Sequence, residues 1–289
     1  MSGTAARTSS VIWPWLDRKR RFSWLKAGTL ALMFAPAIWL IDQVATGQFG
    51  PVPLGGMTYW SGVWATALLL LALAITPALT LLRWGRLVIV RRMIGVSALA
   101  YTVAHIFIYF ALRFWNFASI AYEMATRVSL VLATIATAGL IVLGVTSFDA
   151  MVARMGLERW QRLHDTVYVL TGLALVHYLL SPDVYAEQYL LSGIFFWLMG
   201  WRLLKRRGRA ADAKALAALA VASCLFTTLL EAGWLWAYQG YEPLETLAGN
   251  FTFIEGLSPA WKVLILGGLA AAIGAVPRAP RPPVTGLDA

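Results

Sequence analysis

RRMIGVSALAYTVAHIFIYFALR, residues 91–113, opens on two arginines, closes on one, and holds no other charged residue between them. At 1.5 Å of rise per residue, about 20 apolar residues cross the roughly 30 Å hydrocarbon layer of a bilayer. The interior of this stretch is that long, so it reads as a transmembrane helix. It contains one imidazole, His105, thirteen residues after Arg92. Histidine is rare in hydrocarbon and marks a ligand, a relay or a counter-ion there.

The rest of the chain repeats the pattern. Of 289 residues, 60% are apolar and 13% charged, and the mean hydropathy is +0.68. That composition excludes an ordinary soluble domain and predicts an all-α, polytopic membrane helix bundle. Eight apolar runs are long enough to be spans: 24–44, 60–82, 93–113, 128–147, 163–181, 188–204, 215–237 and 260–276. Small-residue rows such as Gly268 with Ala272 predict close helix packing. The single cysteine, Cys224, excludes an internal disulfide and a cysteine-ligated cluster held by this chain alone. No Walker motif or dinucleotide fingerprint occurs.

The net charge of +10 suggests nucleic acid until the basic residues are placed. They cluster at span ends and form no basic domain, so no nucleic-acid partner is expected. Of the 24 Lys and Arg residues, all but Arg113, Arg127 and Lys262 fall on one side of the alternating map. Arg7, Arg18, Arg278 and Arg281 are among that majority. The positive-inside rule makes the rich side cytoplasmic, with both termini there. KRRFSWLK (19–26) echoes a twin-arginine export signal. The long apolar run behind it reads instead as an anchor that stays in place.

The chain has three histidines, His105, His164 and His177. His164 and His177 stand thirteen residues apart at the two ends of the fifth run. In the predicted topology runs three and five both point outward. His105 and His177 then share an outer depth, each about 20 Å of rise from the cytoplasmic edge. Two imidazoles at one depth on two helices suit a haem held from both faces. His164 sits at the inner level, where an interfacial histidine without a ligand role is an equal reading. Its counterparts on run three are Arg91 and Arg92, whose guanidinium groups suit a haem propionate or a phosphate. On an ideal helix His164 and His177 point roughly 140° apart; tilt or a bend at Gly172 would reduce that angle. A proton relay is the main alternative, weakened by the scarcity of carboxylates within the runs, Glu231 being the chief exception.

Three stretches carry a resemblance: SGVWATALLLLALAITP (61–77), RRMIGVSALAYTVAHIFIYF (91–110) and RWQRLHDTVYVLTGLALVHYL (159–179). Together they are similar to the MsrQ (YedZ) family, haem-binding membrane subunits of the MsrPQ protein-methionine-sulfoxide reductase system, within the ferric-reductase-like transmembrane group. The resemblance implies a six-helix core carrying haem b, one or two per chain, in the bacterial inner membrane. It implies electrons drawn from the quinone pool or a cytosolic flavin reductase and passed outward to MsrP, a periplasmic molybdopterin enzyme. The catalytic site for methionine sulfoxide is then on that partner. FMN is also attributed to the family. His105, His164 and His177 match its haem-ligand histidines, Arg91 matches an arginine near the cytoplasmic site, and Arg162 is a further candidate contact for a propionate or flavin phosphate.

The expected organisation is a cytoplasmic segment (1–23), a six-helix haem-binding core (24–207), and an extension of two spans with an acidic external loop (208–289; Glu242, Glu245, Glu255). Two rival functions use the same residues. One is a stand-alone cytochrome reducing ferric chelates or oxygen. The other is a non-redox transporter or assembly protein with relay histidines.

Overall fold

The computed structural model describes residues 13–17, 19–181, 185–253 and 256–276. Arg7, Arg18, Glu255, Arg278 and Arg281 lie outside the described residues. Helices dominate, and no strand occurs among the described residues; the one β contact is an isolated bridge between Leu16 and Phe22. In chain order the helices are α1 (Trp24–Ala45), α2 (Pro53–Leu82), α3 (Val88–Leu112), α4 (Phe117–Thr126), α5 (Val128–Val145), α6 (Asp149–Met155), α7 (Leu157–Asp165), α8 (Val167–Leu179), α9 (Ala186–Arg206), α10 (Ala213–Gln239), α11 (Pro243–Gly249) and α12 (Pro259–Ala275). The protein is an all-α polytopic membrane bundle.

Five described helices, α1, α2, α3, α5 and α10, are long and apolar enough to cross a membrane, and α12 is a shorter apolar helix. The eight-run expectation therefore needs correction at runs five and six. Run five is two helices. Leu163 O accepts both the Thr166 N–H (3.1 Å) and the Thr166 hydroxyl (2.7 Å), each from three residues on. This pulls the α-helical ladder into one 3₁₀-type step and separates α7 from α8. The break is at Thr166, and α8 runs unbroken through Gly172. Alone, α8 has 13 residues, about 20 Å of rise, less than a bilayer core. Run six lies in α9, which begins with Glu187 and ends on Lys205 and Arg206, too polar at its ends to qualify by composition.

The contacts divide the chain into two compact units, one of residues 1–76 with 85–191, the other of 77–84 with 192–289. In the first unit α5 packs on α8 and α3, and α1 on α3. Gly139 lets α5 approach α8: a Cβ there would sit 2.5 Å from Leu170. In α1, Pro36 has no N–H and crowds the preceding turn. The Tyr101 hydroxyl of α3 enters the opened ladder. It donates to Met33 O (2.8 Å) and accepts from the Ala37 N–H (2.9 Å). Those two groups would otherwise pair with each other, so one phenol completes the helix and ties it to α3.

In the second unit Trp201, Leu216 and Ala271 are buried together, and the Trp201 indole donates to Ala210 O (2.9 Å). Gly267 and Gly274 are the close-approach positions of α12: a Cβ on Gly267 would lie 2.6 Å from Ala220 Cβ. The small-residue row is thus Gly267, Ala271 and Gly274; Gly268 meets nothing within 4 Å and Ala272 is exposed. Asp212 caps α10 by accepting from the Ala215 N–H (3.1 Å), and Gly240 ends it in the left-handed conformation (φ 72°).

Two outcomes follow. Tyr101→Phe leaves a backbone donor and acceptor of α1 unpaired, and should cost about 1–3 kcal/mol in detergent unfolding. The capping N–H of Ala215, then the Arg209 pair, hold the Asp212 carboxyl below its ordinary value. Its contribution is therefore present above the ordinary carboxylate range and disappears as pH falls through the lowered pKa. Asp212→Ala should lower the melting temperature at neutral pH, Asp212→Asn should lower it less, and the gap between the Ala variant and the parent should narrow in acid.

Candidate functional site

All three histidines belong to the first unit and all are half-buried. His105 lies on α3 and faces the N-terminal turns of α2. Its Nδ1 stands 2.8 Å from Thr58 O and 3.2 Å from Ser61 Oγ. Gly62 makes room for the ring, since a Cβ there would lie 3.1 Å from His105 Cε1. His177 lies on α8, with its Nδ1 2.9 Å from Ser129 O in the first turn of α5. A carbonyl can only accept, so Nδ1 carries the proton in both rings and Nε2 holds the free lone pair.

Neither Nε2 has a hydrogen-bond partner among the described residues, and neither is a fully buried unpaired atom, so each keeps some accessible surface. The two imidazoles are within electrostatic reach of each other. This is how haem-ligating histidines are prepared: one nitrogen fixed by a carbonyl, the other left for iron. The donor set fits that group better than a bare ion, because no cluster of three His, Cys, Asp or Glu side chains occurs among the described residues.

His164 is held differently. On α7 its ring stacks on Trp160, with centroids 3.9 Å apart and planes at 25°. Its Nδ1 is 3.1 Å from Trp160 O and its Nε2 is 3.4 Å from Ser147 Oγ, just beyond α5. The Trp160 indole donates to Thr146 O (2.8 Å) and fixes the pair against the end of that helix. Ser129 and Ser147 are eighteen residues apart, about 27 Å of helical rise. α5 thereby acts as a ruler with His177 at one end and His164 at the other.

The structure places His105 and His177 within electrostatic reach of each other and puts His164 near the far end of α5. Arg91 and Asp165 are the charged groups within electrostatic reach of His164. Arg91 is exposed and makes no ion pair among the described residues, whereas its neighbour Arg92 pairs with Asp149. Arg162 is exposed and pairs with Glu158 at 3.1 Å. Sequence reasoning missed Thr58, Ser61, Gly62 and Ser129. Two of these act through main-chain carbonyls, which carry no residue-type signal. Trp160 stood in the quoted stretch 159–179, four residues before His164, and that spacing could have announced the stack.

Residues 61–175 match the family model described as the ferric reductase like transmembrane component. That range takes in His105 and His164; His177 lies two residues past its end. The chain is 34% identical over 180 residues to a protein-methionine-sulfoxide reductase heme-binding subunit MsrQ of Caulobacter vibrioides, spanning 62% of this chain and 86% of that protein. It is 32% identical over 193 residues to the MsrQ of Cronobacter sakazakii, spanning 65% and 95%. The magnetosome protein MamZ of Paramagnetospirillum magneticum is 30% identical over 182 residues, 60% of this chain but 28% of that protein. No solved structure matches the chain. Near-complete coverage of two such subunits at over 30% identity means that the chain belongs to the MsrQ family of ferric-reductase-like transmembrane proteins.

Proposed function

We propose that this protein is a haem b electron-transfer subunit. On this reading it carries electrons across the inner membrane to a periplasmic molybdopterin methionine sulfoxide reductase of the MsrP type. The observation that carries the proposal is the matched pair His105 and His177, each with Nδ1–H on a carbonyl and Nε2 open. The MsrQ relatives are named as haem-binding subunits of a methionine sulfoxide reductase, which agrees with that donor pair. The donor is a quinol or a cytosolic flavin reductase.

When bound, haem would supply a one-electron couple, and with His105 and His177 both holding it the site would favour electron relay over oxygen chemistry. The chain's own work is to fix the ligands and the charges around them. Thr58 O and Ser129 O hold the rings in one tautomer and orientation. Gly62 clears the space beside His105. At the inner level His164, pinned by Trp160, would be the residue to hold a second haem, and Arg91 would be the better-placed guanidinium for a propionate or for the phosphate of FMN. Arg162 could take that role only by releasing Glu158. Residues 24–207 form the haem-binding core, and 208–289 a packing extension.

An optical spectrum of detergent-purified protein, oxidised and dithionite-reduced, tests the proposal. It should show a low-spin haem b Soret band that is lost in the His105→Ala, His177→Ala double variant. A colourless protein would favour a transporter or assembly role. His164→Ala should keep the outer-site signal. Reduced protein mixed with MsrP should reoxidise only when methionine sulfoxide is added; reoxidation by ferric chelates alone would favour the stand-alone cytochrome. Gly62→Val should lower the haem-to-protein ratio, because its Cβ and methyl groups displace the His105 ring.

A further inference from the structure

The two outer histidines are not held alike. His177 shares Ser129 O with the hydrogen-bond ladder of α5, and no other side-chain donor reaches that carbonyl among the described residues. His105 shares Thr58 O with a second donor, the Ser61 hydroxyl, which bonds it at 3.0 Å. Thr58 O also belongs to the hydrogen-bond ladder of α2. Ser61 is 1% exposed, so its proton has no water to turn to. Its oxygen lies 3.2 Å from His105 Nδ1, yet it cannot donate there, because that nitrogen already carries a proton for Thr58 O.

We infer that Ser61 is a positioning residue that sets the reduction potential of the outer haem through His105. The inference rests on the haem reading above. A ligand imidazole gives more electron density to iron as its Nδ1–H is drawn toward a stronger acceptor. Oxidised iron gains most from that density, so a stronger acceptor lowers the potential. The Ser61 proton draws on the lone pairs of Thr58 O and makes that carbonyl a weaker acceptor for His105. The Ser61 oxygen also faces the imidazole N–H and acts in the opposite sense. At 3.2 Å against 2.8 Å for the carbonyl, it is the weaker of the two contacts. The net effect of Ser61 is to raise the potential at the His105 side, while Ser129 O leaves His177 the stronger donor.

The test is potentiometric titration of purified holoprotein with Ser61 as wild type, Ala and Thr. Ser61→Ala frees Thr58 O for His105. It should shift the outer-haem equilibrium about threefold toward the oxidised form, a fall of about 28 mV at 59 mV per tenfold for one electron. Ser61→Thr keeps the hydroxyl and should hold the wild-type midpoint, with the low-spin optical bands unchanged in all three proteins. Equal midpoints, or a rise in the Ala variant, would overturn the inference and leave the haem assignment standing. Loss of haem from the Ala variant alone would make Ser61 a holding group and also overturn it. A wild-type protein without a Soret band would overturn the haem reading itself.

Discussion

An imidazole buried in an apolar bundle can offer one nitrogen to a metal only if the other is satisfied. In this chain the satisfaction comes from main-chain carbonyls at the N-terminal ends of two helices, Thr58 O on α2 and Ser129 O on α5. Much of the first unit serves that constraint. α5 must lie close to α8 for Ser129 to reach His177, and Gly139 removes the side chain that would hold them apart. α2 must meet α3 at His105, and Gly62 opens the space for the ring. α3 is in turn braced by Tyr101, whose hydroxyl repairs the α1 ladder that Pro36 interrupts.

The same geometry separates the histidines by level. His177 stands near the start of α5, within electrostatic reach of His105, while His164 stacks on Trp160 beyond its other end. On the proposed topology these are an outer pair and an inner single, the order that the proposed outward electron path needs. Tyr59 adds a feature at the outer end. Its hydroxyl donates to Glu187 (2.8 Å) and accepts from Tyr178, the neighbour of His177 (2.8 Å). That chain of hydrogen bonds ties α2, α8 and α9 together, one residue along the chain from His177.

The sequence made the bundle and the spacing of the histidines along it legible because both depend on counting. Charge-flanked apolar runs give spans, and thirteen residues give about 20 Å. The details of registry and partner were not legible. Gly268 with Ala272 and Gly267 with Ala271 have the same spacing, and only about 100° of rotation separates the two faces; the packing partner chose the second. The fifth run showed no Gly or Pro punctuation at Thr166, and the break comes from two bonds converging on Leu163 O. The carbonyls of Thr58 and Ser129 have no signature in any single sequence, since every residue carries one. Arg91 and Arg162 carry the same charge in the sequence, and the structure distinguishes them by the Glu158 pair of Arg162 and by the reach of Arg91 to His164.

The central claim is that His105 and His177 together ligate one haem iron through Nε2. Near-infrared magnetic circular dichroism of the oxidised protein addresses it directly, because the position of the charge-transfer band reports the two axial ligands. A bis-imidazole band that shifts to the histidine–methionine position in both His105→Met and His177→Met, and stays in place in His164→Met, is the predicted result. A band unmoved by either outer substitution, or moved only by His164→Met, would contradict the account.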